Sequence, residues 1–131
     1  GCGSGILSMA AAKVLPNVLI DAVDIDDESV KVTQKNIIEN NVASQINVFQ
    51  SDAFAQVDKK YDLIFANILA RPLIEMASDM YQHVNHGGFA ILSGFLNRQN
   101  SWLVKSFEQK GFSFVKRYKV KEWSTVIVKK S

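Results

Sequence analysis

Three glycines open the chain and could bring backbone amides close to a ligand. Gly1, Gly3 and Gly5 directly precede an apolar helical pattern. A nicotinamide-binding loop would space its glycines as G-x-G-x-x-G, whereas the third glycine here comes one position earlier. This spacing favours a ligand held beside the loop over a pyrophosphate docked on the helix. A glycine triplet by itself is also consistent with a simple tight turn, so other residues must decide.

Two acidic residues follow predicted strands and could accept hydrogen bonds from a nucleoside. Asp24 lies 23 positions after Gly1, close to the spacing of about 20 residues at which an acid binds ribose hydroxyls. Asp26 or Asp27 is better placed to cap the next helix, which leaves Asp24 for a ligand. Asp52 follows the next strand and could accept from the exocyclic amine of adenine. A solvated loop aspartate is the alternative for Asp52.

Asn67 follows a further apolar strand, where a neutral amide could orient an amine beside a cationic methyl donor. A second strong charge would be unfavourable at such a place. The alternative is a turn asparagine that bonds to its own backbone, as is common between a strand and a helix. Position and neighbours favour the functional role. No metal site is expected, because the two histidines lack the cysteine or carboxylate companions that a metal needs.

Alternating helices and strands, followed by a terminal hairpin, must position these residues. The predicted helices cover residues 6–15, 26–40, 72–84 and 99–110, and the predicted strands cover residues 18–23, 46–49, 61–66, 89–92, 112–120 and 123–129, with a turn at residues 86–88. This order predicts an α/β fold with an open, doubly wound, mostly parallel sheet and a C-terminal antiparallel hairpin. Ligands of such sheets bind outside the carboxyl ends of the strands, where the glycine loop, Asp24, Asp52 and Asn67 are expected.

Composition bounds the class of protein. The chain has 131 residues, 47% of them apolar and 21% charged, and a net charge of +2. These values suit one folded domain and exclude a disordered chain. No apolar run reaches the roughly 18 residues of a membrane span, and the single cysteine excludes an internal disulfide. The sequence therefore predicts a cytoplasmic protein without membrane partners.

Charge is distributed unevenly along the chain. Residues 1–104 carry a net charge of −4, whereas residues 105–131 carry +6. A basic tail of this kind could contact nucleic acid. A hairpin with a lysine-rich solvated face is favoured over it, because aromatic and basic residues do not interleave along the sequence as a stacking platform requires. Direct nucleic-acid binding is therefore not expected.

Four segments become informative when they are taken together. They are Gly1-Cys2-Gly3-Ser4-Gly5-Ile6-Leu7-Ser8, Ala66-Asn67-Ile68-Leu69-Ala70, the stretch from Gly88 through Ile91-Leu92-Ser93-Gly94, and Glu122-Trp123. The first is shared by many methyltransferases, and the second and third are more particular. Together they resemble the ribosomal protein L-eleven methyltransferase family (PrmA type), whose members are class I enzymes that use S-adenosylmethionine. The resemblance covers nearly all 131 residues as the family's catalytic domain.

The resemblance implies a Rossmann-like domain that transfers methyl groups to amines of a large-subunit ribosomal protein, both lysine side chains and the N-terminal amine. Gly1, Asp24 and Asn67 match the family's cofactor contacts, and Gly3 and Asp52 are expected beside the same ligand. Asn67 is also expected to face the incoming amine, which makes it the candidate catalytic residue. The oligomeric state stays open.

Compared with the family, residues 1–131 are expected to be an N-terminally truncated catalytic domain without its first strand and without the substrate-recognition domain. Two alternatives remain. One keeps the cofactor and changes the acceptor to a small molecule or a nucleic acid. An exocyclic base amine is disfavoured, because Ile68-Leu69-Ala70 stands where such enzymes carry Asn-Pro-Pro-aromatic. The other is an inactive remnant that binds S-adenosylmethionine weakly or not at all.

Overall fold

The computed structural model describes residues 1–131, which form two compact units, Gly1–Val57 and Asp58–Ser131. The first unit contains α1 (Ile6–Val14), β1 (Ile20–Asp24), α2 (Asp27–Glu39) and β2 (Ile46–Gln50). The second contains β3 (Tyr61–Asn67), α3 (Ala70–Glu75), α4 (Ala77–His83), β4 (Val84–Leu96), a 3-10 turn (Asn97–Gln99), α5 (Asn100–Gln109), β5 (Phe112–Val120) and β6 (Trp123–Lys130). None of the helices has the length and apolar character needed to cross a lipid bilayer.

The first unit is a parallel pair of strands packed against two helices. In β1 and β2, Ile20 pairs with Ile46 and Asp24 pairs with Gln50. The buried core joins both strands to both helices through Ala12, Ala22, Ile37, Val42 and Ile46. The side chain of Asp26 caps α2, since its carboxylate accepts from the Glu28 N–H at 3.3 Å and from the Ser29 hydroxyl at 2.9 Å. The predicted cap is therefore confirmed, and Asp24 is left for another role.

The second unit is a four-stranded sheet in the order β3-β4-β6-β5. The β3–β4 pair is parallel, whereas β4–β6 and β5–β6 are antiparallel. One face of this sheet is buried under α3, α4 and α5. Side chains from that face and from the three helices form the core, which contains Leu73, Met80, Leu92, Phe95, Leu103, Phe107, Val126 and Val128. The predicted α/β class, with its parallel strands and C-terminal antiparallel hairpin, is confirmed.

Two local predictions in this unit are wrong. The helix predicted for residues 72–84 is two helices, α3 and α4, which meet at Met76. The turn predicted for residues 86–88 instead lies inside β4. Tyr61 pairs with Val84 and Leu63 pairs with Phe89, so the single residue Asp62 of β3 stands opposite residues 85–88 of β4. The three extra residues form a large irregular bulge, and its positive φ of 82° falls on Gly87. The glycines thus serve a bulge within a strand rather than the start of one.

Candidate functional site

The glycine loop of the first unit closes against the end of β1. The Cys2 N–H donates to the carbonyl of Val23 at 2.8 Å, and the Gly3 N–H donates to Oδ2 of Asp24 at 3.0 Å. A further bond runs from the Gly5 N–H to the Cys2 carbonyl at 2.9 Å, and α1 begins at the next residue. The loop therefore presents its backbone at the carboxyl end of a parallel strand, where α/β folds bind ligands.

Two of the loop glycines have left-handed backbone, and their surroundings differ. At Gly5, with φ of 86°, an added β-carbon would lie 2.7 Å from Cγ2 of Thr33, so glycine permits close packing on α2. At Gly3, with φ of 56°, an added β-carbon would have no atom within 4 Å. Gly3 thus serves the turn while leaving open space beside it, which is the space that a ligand lying against the loop would need.

Two residues of α2 brace this loop, and the sequence analysis did not find either role. The Thr33 hydroxyl, fully buried, donates to the Gly3 carbonyl at 2.9 Å, and its oxygen lies 3.4 Å from Sγ of Cys2. The Asn36 amide donates to the carbonyl of Ser4 at 2.8 Å. In the sequence Thr33 reads as part of an apolar helix face. The spacing of 30 or more residues offers no local signal for these contacts.

Asp24 is held by backbone donors on both carboxylate oxygens. Besides the Gly3 bond to Oδ2, the Asp26 N–H donates to Oδ1 at 3.0 Å. Burial raises the pKa of the Asp24 carboxyl, but backbone N–H donors at Asp26, Gly3 and Ile25 lower it, and the pKa lies below its ordinary value. A carboxylate can accept about four hydrogen bonds, and the Asp24 side chain stays 11% exposed. Asp24 therefore retains acceptor capacity for a ligand's hydroxyls.

Gly1 and Asp52 lie at the same strand edge of the first unit. The Gly1 amino group donates to the Val23 carbonyl at 2.7 Å and lies 4.0 Å from Oδ2 of Asp24. Asp52 follows Ser51, whose N–H donates to the Asp24 carbonyl at 2.9 Å. The Asp52 side chain is exposed. The first unit thus brings together four of the five predicted site residues, Gly1, Gly3, Asp24 and Asp52, at the carboxyl ends of β1 and β2.

Asn67, the fifth predicted residue, belongs to the second unit and is the last residue of β3. It pairs with Ser93 of β4, and the next residue, Ile68, donates its N–H to the Ser93 carbonyl at 3.1 Å. The Asn67 side chain is exposed and does not bond to its own backbone. The turn-asparagine alternative predicted such a bond, so its absence favours an amide that is available to a ligand.

A cavity of about 600 Å³ opens next to Asn67 within the second unit. Its wall is formed by Asn67, Ile68, Leu69, Ser93, Gly94, Trp123, Ser124 and Thr125. No charged side chain lines it, and its polar side-chain groups are the Asn67 amide, the hydroxyls of Ser93, Ser124 and Thr125, and the indole N–H of Trp123. Trp123 is 47% exposed and belongs to this wall. The cavity suits a neutral group with an apolar stem.

Gly94 shapes the same cavity from β4. Its φ is 91°, and an added β-carbon would lie 2.6 Å from the Ile68 carbonyl oxygen and 2.7 Å from Oδ1 of Asn67. Both atoms would have to move to admit any other residue. The position of the Asn67 amide therefore depends on a glycine that is 27 residues away in sequence.

The sequence of the whole chain, residues 1–131, matches the family described as Ribosomal protein L11 methyltransferase (PrmA). The chain belongs to this family. One curated relative, the ribosomal protein L11 methyltransferase of Geotalea uraniireducens (strain Rf4), is 36% identical over 124 residues. That match covers 95% of this chain and 39% of the relative. The family resemblance inferred from the four segments is confirmed.

Solved structures agree with the family and the fold. The chain superimposes on the crystal structure of ribosomal protein L11 methylase from Lactobacillus delbrueckii subsp. bulgaricus with a TM-score of 0.93 at 30% identity, over 100% of this chain and 67% of that one. An RNA methyltransferase from Salinibacter ruber, in complex with S-adenosyl-L-homocysteine, has the same fold, with a TM-score of 0.76 at 16% identity. The latter match covers 97% of this chain and 74% of that one. The chain spans less than half the length of the curated relatives it matches.

Proposed function

We propose that residues 1–131 are the catalytic part of a longer PrmA-type enzyme, which transfers methyl groups from S-adenosylmethionine to amines of ribosomal protein L11. The acceptors are lysine side chains and the N-terminal amine. Family membership over the full chain supports the proposal. The structural observation that carries it is the exposed Asn67 amide in the wall of a cavity without charged side chains.

The first unit supplies the groups for the cofactor's nucleoside. Asp24 is ionised and its partly exposed carboxylate keeps acceptor capacity, which suits ribose hydroxyls. Gly1 and Gly3 let the backbone approach the ligand closely, and the space beside Gly3 is open. The exposed carboxylate of Asp52 is the acceptor assigned to the adenine amine. These residues orient the cofactor without taking part in the chemical step.

In the second unit, Asn67 orients the amine and also contacts the cofactor. S-Adenosylmethionine, when bound, supplies an electrophilic methyl group on a sulfonium. The Asn67 carbonyl oxygen accepts a hydrogen bond from the neutral amine and directs the nitrogen lone pair. A carboxylate there would instead hold the amine in its protonated, unreactive form. An acceptor lysine, with an ordinary pKa near 10.4, loses its proton to solvent, and no side chain of the chain is assigned as a base.

The apolar part of the cavity favours a lysine stem over a flipped base. Leu69 and Trp123 are exposed apolar groups of the wall, and they offer contact to methylene carbons next to the amide. The residues after Asn67 are Ile68-Leu69-Ala70 rather than the prolines and aromatic of base-amine methyltransferases. Both features support an amine carried on a flexible chain.

The proposal is tested by mass spectrometry of ribosomal protein L11 after incubation with S-adenosylmethionine and the longer protein that carries residues 1–131. We expect the mass of L11 to rise by about 14 Da, the mass of one CH₂, for each methyl group transferred. Peptide fragmentation should locate these methyl groups on lysines and on the N-terminus. An unmodified L11, with methyl groups instead on a ribosomal RNA offered in the same reaction, would contradict the proposed acceptor.

A further inference from the structure

The C-terminal hairpin presents an unusually exposed strand. In β5 only the first residue, Phe112, is buried; the other eight are exposed, although they belong to a regular ladder with β6. β5 is an edge strand of the four-stranded sheet, so its outer backbone edge also has no partner strand. A strand of this kind adds little to a core. Its exposed side chains are therefore available to contact another molecule.

The ladder register places aromatic and basic side chains on one face of the hairpin. Lys116 of β5 stands opposite Ile127 of β6, and Tyr118 stands opposite Thr125. Trp123 precedes Thr125 by two residues in β6. Alternation along strands puts these side chains on the same face. Tyr118 is 49% exposed and Trp123 is 47% exposed. The Lys116 ammonium lies 5.0 Å from the centre of the Tyr118 ring. The interleaving that the sequence lacks along one strand is thus produced across two.

The cations of the hairpin are not neutralised within the chain. Lys116, Arg117, Lys119 and Lys121 are all exposed, and none forms an ion pair. The ion pairs of the chain all lie in residues 1–39. Residues 112–130, which form the hairpin, carry six basic side chains and one acidic side chain, so the hairpin is a positive surface that complements a polyanion.

We propose that the face formed by Lys116, Tyr118 and Trp123, together with Lys121 in the turn between the two strands, binds single-stranded RNA. Arg117 and Lys119 stand opposite Val126 and Ser124 in the ladder and therefore lie on the other face of the hairpin. Unpaired bases stack on exposed aromatic rings, and lysine and arginine side chains neutralise the phosphates that connect them. An acidic peptide would use the cations but would leave the rings without planar partners. The surface is inferred from the hairpin alone. The choice of RNA over DNA rests on the proposed function, because the proposed substrate is a ribosomal protein, which binds RNA in the assembled ribosome.

The test measures fluorescence anisotropy of a labelled 12-nucleotide oligouridine titrated with the longer protein that carries residues 1–131, at 50 to 200 mM NaCl, with no cofactor and no methyl acceptor. Lys116 and Lys121 on phosphates should contribute about −1.4 to the slope of log K against log salt. Replacing both by glutamine (K116Q and K121Q) should remove this contribution and weaken binding.

Tyr118 separates base stacking from charge, and it does not line the Asn67 cavity. Tyr118→Ala should weaken RNA binding about tenfold, within the range for loss of one stacked base, while Tyr118→Phe should bind normally. The matched charge control replaces the two exposed cations on the opposite face of the same hairpin (R117Q and K119Q) and should leave the affinity within about twofold of wild type. Circular dichroism melts verify that each variant is folded.

Several results would overturn this inference. Equal losses of affinity in the two glutamine double variants would assign binding to overall charge. Unchanged affinity of Tyr118→Ala, or equally tight binding of polyglutamate or of phosphatidylserine vesicles, would assign it to a general polyanion. Self-association of the K116Q and K121Q double variant without loss of RNA affinity would show that its lysines only protect the sheet edge. Because no methyl transfer is measured, none of these results bears on the proposed enzyme activity.

Discussion

Gly94 and the side chain of Asn67 are in direct contact. A β-carbon at position 94 would lie 2.7 Å from Oδ1 of Asn67, well inside the separation that real carbon and oxygen atoms keep. The two residues come from neighbouring parallel strands, β3 and β4, and meet where both strands leave the ladder. The glycine therefore determines where the amide can lie.

Gly94→Ala should reduce methyl transfer by about 100-fold, because displacement of a positioning group by about 1 Å is sufficient for a loss of this size. It should also cost about 1–3 kcal/mol of stability through its positive φ. Gly87→Ala is the matched control: its φ of 82° imposes similar strain, but its β-carbon would have no atom within 4 Å. Equal loss of transfer in both variants at matched stability would show that Gly94 acts through the backbone alone.

Thr33→Val should loosen the glycine loop. It removes the hydroxyl that donates to the Gly3 carbonyl and should lower the free energy of unfolding by about 1 kcal/mol, as measured in urea. Thr33→Ser loses a buried methyl group at a similar cost of about 0.8 kcal/mol but keeps the hydroxyl. Cofactor affinity, measured by calorimetry on the longer protein, should fall only with valine. A parallel fall with serine would assign the effect to packing.

Asp24 should titrate below the ordinary aspartate value of about 3.9, because backbone donors favour its carboxylate. The stability that it contributes is complete above that value and is lost as the pH falls through the lower pKa of the folded chain. A carbon-detected NMR titration of the Asp24 carboxyl checks the direction. A midpoint at or above 3.9 would contradict the hydrogen-bonding geometry at Gly3 and Asp26.

Asp52→Ala should weaken cofactor binding by less than Asp24→Ala does. Asp52 is exposed and lacks the two backbone bonds that fix Asp24, so its contact with a ligand forms in competition with water. We expect an increase of about fivefold in the Kd of S-adenosylmethionine, and an increase of at least 100-fold for Asp24→Ala. Equilibrium calorimetry on the longer protein measures both. An unchanged Kd for Asp52→Ala would leave Asp52 as a solvated loop residue.

The sequence was sufficient for features that depend on local patterns. The hairpin strands, the end of β1 at an acidic residue and the cap at Asp26 follow from alternation, apolar runs and side-chain chemistry within a few residues. The family segments around Asn67 also lie in continuous stretches. These features were predicted to within a few residues of where the structure has them.

Other features depend on tertiary contacts that no local pattern reports. Thr33 looks apolar in its helix, yet its hydroxyl bonds to a loop 30 residues earlier. The sequence around Gly94 does not show that this glycine packs against Asn67 of β3. The pairing of β5 with β6 shifts by one residue at a bulge between Phe114 and Lys116, and alternation in the sequence does not reveal this shift.

The proposal that Asn67 orients the acceptor amine is tested most directly by single-turnover methyl transfer with Asn67→Ala in the longer protein. Tritiated S-adenosylmethionine and ribosomal protein L11 would be used, with Asn47→Ala, an exposed strand asparagine of the first unit, as the control. We expect Asn67→Ala to lower the transfer rate at least 100-fold with the fold retained, and Asn47→Ala to leave it unchanged. A transfer rate for Asn67→Ala within twofold of wild type would contradict the assignment.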